Sequence, residues 1–367
     1  MIRVLQYIGS MEQGGSQAMI MNIYRNIDRS QIQFDFVIHA GGMTPLANEA
    51  VDLGATIFTC PSFSASSVGN YSKWWKNFFK EHTEYKIVHS HVRSTAAIVL
   101  SIAKKNGCIT IAHSHSTSSG SGFSAVVKNI LQYRIRYTAD YFMGCSQQAG
   151  EWLFGKKICF SDRYFNVRNA IDAKKYIYDE NIAKSTREEL GYSDEDFVIG
   201  HVGRLSEPKN HTFLIDVFAE VHKKDDKYKL LLVGDGELRT EIEQKIKSLG
   251  LENFVQMTGT RSDVNRLMMA MDLFLFPSKW EGLGIVMIEA QATGCPCIAS
   301  DVVPRETDLT KKNLYLSLDD SSVVWADKIV GTEKKKRENN CSLITGARYD
   351  IRASADWVQE FYSNLAK

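Results

Sequence analysis

Two short segments bring together side chains of the kind that handle anions. The first, His201-Val202-Gly203-Arg204-Leu205-Ser206-Glu207-Pro208-Lys209-Asn210-His211, follows the apolar run DFVIGHVG (196–203) and leads into the helical run TFLIDVFAEV. An Arg at the carboxyl end of a strand and a Lys five residues on, in a loop containing Pro208, can converge on one phosphate pair. Arg offers a planar fork and Lys a point charge. The second, Trp280-Glu281-Gly282-Leu283-Gly284-Ile285-Val286-Met287-Ile288-Glu289, lies between the strand-like LFLFPS and the helical EAQATG. Its glycines leave backbone N–H groups bare at a helix start, which is another seat for an anion. Glu281 precedes that helix and Glu289 lies one to two turns into it, so the carboxylates need not flank one bond as a glycosidase pair does. Hydroxyl binding at two places suits the spacing better, although two glutamates beside a glycine turn also fit solvated or capping groups.

A third segment, Gly9-Ser10-Met11-Glu12-Gln13-Gly14-Gly15-Ser16, opens the helical run QAMIMNIYRNI. Against the phosphate loop G-x-x-x-x-G-K-[ST], every fixed position fits except the lysine, where Gly15 stands. Without that charge on the terminal phosphates an ATPase is not expected. The spacing is not G-x-G-x-x-G either, and no acidic residue ends a second strand about twenty residues on, which weighs against a dinucleotide oxidoreductase. What remains is a glycine pair, Gly14 and Gly15, at a helix N-terminus: an approach for an anion or a sugar hydroxyl, or a plain strand-to-helix turn.

The elements that must position these segments follow a pattern written twice. IRVLQYI (2–8), FDFVIHA (34–40), KIVHSH (86–91), CITIAHSH (108–115) and DYFMGCS (140–146) are β-branched and aromatic runs with helix-length stretches between them. DFVIGHVG (196–203), YKLLLVGDG (228–236), NFVQMTG (253–259), LFLFPS (273–278) and PCIASD (296–301) repeat the arrangement. Near-continuous apolar strands alternating with helices are the signature of parallel sheets covered on both faces. The expected fold class is α/β, with two Rossmann-like domains facing each other across a cleft at their strand ends, where such sheets bind ligands. The boundaries read as 1–168 and 169–353, with a C-terminal helix at 354–367 expected to pack back on the first domain. The KKKR run at 334–337 reads as a solvated helix face or loop.

Composition narrows the classes. A chain of 367 residues is long enough for two cores, and 24% charged with 11% aromatic residues excludes disordered, collagen-like and disulfide-scaffold proteins. No apolar run approaches the roughly 18 residues of a membrane span. MIRVLQYIGS reads as a strand and not a signal peptide, so a cytoplasmic protein is expected. Cys60, Cys108, Cys145, Cys159, Cys295, Cys297 and Cys341 show no C-x2-C pairing, so free thiols and no structural zinc are expected, with Cys295-Pro296-Cys297 a buried strand start. The formal charge of +1 divides into +7 for residues 1–168 and −6 for the remainder, so the halves are expected to meet different partners.

In order along the chain stand the GG loop, a strand-end His, VGRLSEPKN (202–210), LVGDGELR (232–239), GTRSDV (259–264) and FPSKWEGLGIVMIEAQATGCPCIASD (276–301). This order resembles the retaining glycosyltransferases of family 4, the GT-B nucleotide-sugar enzymes also called glycosyl transferases group 1. Within them it is most similar to the bacterial branch that builds capsular and exopolysaccharides. The resemblance runs from Ile2 to about Glu306, and the E-x7-E segment from Glu281 to Glu289 is its most specific part.

The resemblance implies a role for each matching position. Arg204 and Lys209 would neutralise the donor diphosphate as the glycosidic bond breaks, with Gly203 at the same strand end. The backbone of Gly282, Leu283, Gly284 and Ile285 would hold its oxygens, Glu289 would grip the ribose hydroxyls, and Glu281 would sit by the face of the donor sugar. Gly14 and Gly15 would lie beneath the diphosphate and acceptor, Arg261 in the loop lining the base, and His113 near the reacting sugar, with His89, His91 and His115 in similar strand ends. Asn210-His211, where many relatives have Gly after the Lys, and Pro304-Arg305-Glu306, in place of a glycine-rich turn, depart from the pattern without removing a charge.

It follows from the resemblance that a hexosyl group moves from a nucleoside-diphosphate sugar, a UDP-sugar above others, to a polysaccharide precursor or lipid-linked sugar with retention. Preorganised Arg, Lys and helix N-termini can stabilise the leaving diphosphate without a divalent ion. No D-x-D stands near the donor segments, Asp225-Asp226 and Asp319-Asp320 read as loop residues, and no metal or cofactor beyond the donor substrate is expected. A protein carboxylate is not expected as the base; the resemblance points toward a phosphate oxygen, and no base is named. Two other readings keep the fold: a non-catalytic nucleotide-sugar-binding partner subunit, and a GT-B nucleotide-sugar epimerase.

On the acceptor side, Tyr71, Lys73, Trp74, Trp75, Lys76, Phe78, Phe79 and Lys80 form a basic, aromatic helix with the composition of an interfacial anchor, part of which must pack on the sheet. Lys128, Arg134 and Arg136 among apolar residues are a second candidate. Such surfaces fit a polyprenyl-linked acceptor and peripheral contact with the anionic inner face of the cell membrane. No basic cluster accompanies a nucleic-acid-binding module, so nucleic acid is not expected.

Overall fold

Strand alternation decides the first layer. Along β1 (Ile2–Tyr7), Val4 enters the apolar cluster on one face of a sheet while Leu5 and Tyr7 enter the cluster on the other. In a computed structural model of the chain, which describes every residue except 13, 40, 41, 65, 66, 117–128 and 335, β1 pairs with β2 (Ile32–His39) and β4 (Ile87–Ser90). With β3 (Ile57–Cys60), β5 (Ile109–Ser114), β6 (Tyr141–Gly144) and β7 (Tyr164–Asn166), the strand order is β3-β2-β1-β4-β5-β6-β7. This sheet belongs to a unit made of Met1–Ala170 and Asp350–Lys367.

Helices cover both faces of it. The helix Gly15–Asn26 buries Met19, Ile20, Ile23 and Tyr24 against one face. Beside it, the helix Ile351–Leu365 buries Ile351, Ala355, Val358 and Tyr362, a stripe at helical spacing. Its first turn is capped by the Asp350 side chain, which accepts from the N–H groups of Arg352 and Ala353. On the other face lie the helices Val68–Glu81 and Ala96–Lys105.

The helix Val68–Glu81 corrects the interfacial-anchor expectation. Tyr71, Trp75, Phe78 and Phe79 are buried, and the Tyr7 hydroxyl bonds those of Tyr71 and Thr95, both at 2.5 Å. Trp74 is half-buried and stacks on Phe78 with ring centroids 5.1 Å apart. Of the residues named for the anchor, Lys73, Lys76 and Lys80 face solvent, because aromatic rings at i, i+4, i+7 and i+8 are the apolar stripe the sheet requires. Of the second candidate surface, Lys128 lies outside the described residues, Arg134 is exposed, and Arg136 donates to the carbonyl of Leu153 at 3.0 Å. Among the described residues no helix is long and apolar enough to cross a membrane.

The second unit, Ile171–Tyr349, repeats the construction. Its strands are β8 (Phe197–Val202), β9 (Tyr228–Val233), β10 (Val255–Met257), β11 (Leu273–Phe276), β12 (Cys297–Ser300) and β13 (Leu314–Leu316), in the order β10-β9-β8-β11-β12-β13. All strand pairs described in both sheets are parallel. Each order reverses once, between β1 and β4 and between β8 and β11. Loops leaving the carboxyl ends of strands at such a reversal form the crevice where open α/β sheets bind ligands.

Three strands escape the sequence pattern. β3, β7 and β13 are edge strands of three or four residues, too short to make an apolar run, and β7 falls in the stretch 164–176 that shows no clear period. The chain passes from one unit to the other after Ala170 and again after Tyr349, where Ile171 N donates to Tyr349 O at 2.8 Å. In the KKKR run, Lys335 lies outside the described residues. Arg337 is not the solvated residue expected, since its guanidinium reaches the carbonyl of Met271 and lies 5.5 Å over the ring of Tyr178.

Trp75 therefore acts as a core residue. Trp75→Ala is expected to lower stability to urea by about 3–5 kcal/mol, while Lys76→Ala, on the solvent face, stays within about 0.5 kcal/mol. Equal midpoints for Trp75→Ala and wild type would show that the helix does not pack as described.

Candidate functional site

At the reversal between β8 and β11, two loops are tied together by their backbones. After β8 the chain runs through Gly203 and Arg204 into a single 3-10 turn, Glu207–Lys209. Asn210 then adopts the left-handed region at φ 57°, which Asn tolerates better than most residues, and starts the helix His211–His222. The Asn210 side chain donates to the Pro277 carbonyl at 3.0 Å, and Lys279 N donates to the Pro208 carbonyl at 2.8 Å. The loop after β11 is thereby pinned to the loop after β8.

Between them sits a shielded ion pair. Lys209 Nζ donates to Glu281 Oε1 at 2.6 Å, and Ser278 Oγ donates to the same oxygen at 2.7 Å. The ammonium also lies 5.0 Å over the ring of Phe276. A Cβ on Gly203 would come within 3.4 Å of Lys209 Cδ and Cε, so a side chain there would crowd the lysine stem. Next to it, Gly234 takes φ +136°, and a Cβ there would meet the Gly203 carbonyl oxygen at 2.0 Å, which only glycine avoids.

Arg204 pairs with a different carboxylate from Lys209. Its Nε donates to Glu237 Oε2 at 3.0 Å, with side-chain exposures of 73% and 55% against 20% and 9% for Lys209 and Glu281. A pair so open to water is readily exchanged for another anion, whereas the Lys209–Glu281 pair is part of the scaffold. Glu237 lies in the quoted segment LVGDGELR but carries no signal that marks it as a counter-ion.

Beyond this pair the chain turns into the helix Ile285–Ala292 through Gly284, at φ 80°. Among the described residues no side chain caps this helix, and Met287 N already donates to Gly284 O at 2.9 Å, so the N–H groups of Ile285 and Val286 remain for an anion. Leu283 is buried and Gly282 faces open space. The helix is anchored by Gln291, whose amide donates to Thr307 O at 2.7 Å and accepts from Leu309 N at 2.9 Å. That bond explains how the Pro304-Arg305-Glu306 departure is accommodated, since it fixes the turn Arg305–Thr307 without glycine.

Glu289, on the same helix, accepts from the Tyr176 hydroxyl at 2.8 Å. Burial pushes its carboxyl up to about 7, and the Tyr176 bond opposes that rise. Tyr176 was not read from the sequence, because it ends a 3-10 turn, Ala173–Tyr176, in a stretch without period. Arg261 forms a fork on Asp263, with both bonds at 2.8 Å, and reaches Glu189 at 3.0 Å, so among the described residues its partners are not Lys209, Glu281 or Glu289. Burial first, and then the nearby Lys209 charge, holds the His201 imidazole well below its usual range and His211 at about 4. Lys209 and Arg204 are then the cations at this strand end.

The remaining expected residues lie in the other unit. Gly14 precedes the helix Gly15–Asn26 in extended backbone, and a Cβ on Gly15 would meet nothing within 4 Å; Gln13 lies outside the described residues. His113 is buried at the end of β5 among His89, His91 and His115, with rings 4.1–5.3 Å apart. His89, His91 and His113 place ligand-type nitrogens within 4.8 Å of one another. Their bonds, however, form a chain. Gln6 Nε2 donates to the Tyr362 hydroxyl at 3.3 Å, and that hydroxyl shares a hydrogen bond with His89 Nδ1 at 2.6 Å. Gln6 Oε1 accepts from His91 Nε2 at 2.8 Å, so His91 Nδ1 accepts from His115 Nε2, also at 2.8 Å. His91 spends its lone pair within this chain, and burial favours the neutral form of all four rings. The thiols of Cys295 and Cys297 are buried and likewise pushed up.

The comparisons fit this geometry. A family model described as "Glycosyl transferases group 1" matches residues 183–335. EpsF of Bacillus subtilis (strain 168), named as a glycosyltransferase, is 31% identical over 98% of this chain and 96% of its own. The chain belongs to the glycosyl transferases group 1 family.

A further relative of this family member, the Escherichia coli UDP-Gal:alpha-D-GlcNAc-diphosphoundecaprenol alpha-1,3-galactosyltransferase, is 27% identical over 77% of this chain and 76% of its own. Among solved structures, Anabaena Alr3699/HepE in complex with UDP and glucose matches with a TM-score of 0.76 at 21% identity, covering 99% of this chain and 100% of that one. The two Rossmann-like parallel-sheet units are the GT-B architecture. The matched family segment holds Arg204, Lys209, Arg261, Glu281 and Glu289, whereas Tyr176 reaches Glu289 from outside it.

Six histidines with lowered pKa, His89, His113, His201 and His211 buried and His91 and His115 half-buried, make acid a specific stress. Their unfolded imidazoles take up protons below about 6.5 while the folded ones resist, so stability is complete above that pH and falls below it. Each group contributes up to about 1.4 kcal/mol per pH unit in that window. The melting temperature is expected to fall steeply from pH 6.5 to 5, and a flat profile there would mean that these rings are not held neutral.

Proposed function

We propose that this family member transfers a hexosyl group from a UDP-sugar, with retention and without a metal ion, to a polysaccharide precursor or lipid-linked sugar. The observation that carries the donor half is Lys209, held by Glu281 at the strand reversal beside an uncapped helix N-terminus. A diphosphate brought there would meet the Lys209 ammonium, the N–H groups of Gly282, Leu283, Gly284 and Ile285, and Arg204 once released from Glu237. Negative charge grows on the leaving diphosphate as the glycosidic bond breaks, so these fixed positive groups favour the transition state over the ground state. Glu289 would accept from the ribose hydroxyls, Glu281 would orient Lys209 and border the donor sugar, and Arg261 would line the base.

The acceptor falls to the Met1–Ala170 unit, with Gly14, Gly15 and neutral His113 as its candidate residues. The name of the Escherichia coli relative, whose acceptor is a diphosphoundecaprenol, supports a lipid-linked acceptor, and the UDP complex of the Anabaena protein supports the UDP donor. Contact with an anionic membrane, in this reading, rests on Lys73, Lys76, Lys80 and Arg134 as charges, without the aromatic share.

A thermal-shift screen of nucleoside-diphosphate sugars identifies the donor, since a ligand that binds only the folded state stabilises it by mass action. With that donor, Arg204→Ala and Lys209→Met are each expected to lower kcat by about 100-fold or more with smaller changes in KM. Activity should persist in EDTA. Wild-type kcat in both variants, or loss in chelator restored only by magnesium or manganese, would contradict the proposal.

A further inference from the structure

We propose, resting on the donor reading above, that Tyr176 is a positioning residue: its hydroxyl orients the Glu289 carboxylate and keeps it an acceptor for the ribose hydroxyls. The carboxylate can only accept and the phenol must donate, so the 2.8 Å bond fixes one oxygen, Oε1, and leaves Oε2 to turn toward a ligand. Tyr176 is held for this task. It ends the turn Ala173–Tyr176, whose Ala173 is fully buried, and its ring packs against two apolar clusters of the second unit. Asn265 on the helix Val264–Ala270 donates to the Lys175 carbonyl at 3.0 Å, and Ile171 N is bonded to Tyr349 O. The ring therefore cannot swing away without breaking the seam where the chain enters the unit.

The hydroxyl matters because Glu289 is poorly solvated. Burial drives its carboxyl up to about 7, and the Tyr176 bond is the interaction that resists this. Burial and the Glu289 charge push the phenol itself far above its ordinary value, so it stays a donor at any working pH. The other titratable or charged groups on elements packed against this helix are Asp172, Lys174 and Lys175 beside the turn, Asp263 and Arg266, Cys297, Arg305 and Glu306, and Cys341. Asp172 acts on Tyr176, and none of the others is among the causes that shift Glu289. A protonated Glu289 offers one acceptor fewer to a ribose diol, so nucleotide affinity should weaken as pH falls through the carboxyl's titration.

Calorimetric titration of UDP into the full chain at intervals from pH 6 to 9 tests this, with wild type, Tyr176→Phe and Glu289→Gln. The terminal phosphate of UDP titrates identically in all three, and Glu289→Gln, which cannot titrate, supplies that baseline. Wild type is expected to lose affinity below pH 7 relative to the baseline. Tyr176→Phe, which keeps the ring packed, should lose it at a pH about one unit higher and regain nearly wild-type affinity by pH 9. A purely structural role for the tyrosine would weaken binding equally at every pH. A Tyr176→Phe profile superimposable on wild type, or uniformly weaker, with Glu289→Gln clearly weakened, overturns the positioning role and leaves the donor reading standing. Wild-type UDP affinity in Glu289→Gln, or no UDP binding by wild type, overturns the donor reading itself.

Discussion

An ammonium held 2.6 Å from a shielded carboxylate, Lys209 against Glu281, is the constraint on which the second unit's binding face depends. It joins the loops that leave β8 and β11, neighbours in the sheet on either side of the strand reversal. Taking two charges out of water is costly, and well-packed apolar side chains of the same volume are often at least as stable. The pair is thus hard to explain as a stability device. It makes sense as a cation kept in one place, ready for a larger anion.

The surrounding residues all act on that cation. Gly203 leaves room for its stem, Gly234 lets β9 close on Gly203, and Asn210 turns the chain so that its own side chain can reach Pro277. Phe276 supplies a π face, and His201 and His211 stay neutral, so no second buried charge competes. Arg204 is different: its bond to Glu237 is exposed to water and so open to exchange for another anion. The site therefore combines one fixed charge with one exchangeable charge, and the uncapped helix Ile285–Ala292 adds fixed dipoles.

Much of this is legible in the chain. Ten apolar runs marked ten of the thirteen strands among the described residues, because a strand buried on both faces must be apolar throughout. β3, β7 and β13 were silent, since an edge strand this short need not carry an apolar run of its own, although β10, also a three-residue edge strand, lies in one. Arg204, Lys209, Glu281 and Glu289 could be named from type and order, but not their partners. Glu237, Ser278 and Tyr176 act through distances that exist only after folding. The aromatic helix misled for a related reason: Trp75 and Phe79 look the same in a sequence whether they face a sheet or a lipid, and only the sheet's demand for cover decides.

The central claim is that Lys209 reads the phosphates of the donor. Calorimetry in EDTA, comparing UDP with uridine on wild type and Lys209→Met, isolates that contact, because uridine keeps base and ribose and lacks the charge. Wild type should prefer UDP by at least about tenfold, the scale of a charge-assisted hydrogen bond, and most of that preference should vanish in Lys209→Met while uridine affinity is retained. An undiminished preference for UDP in a folded Lys209→Met protein would contradict the account.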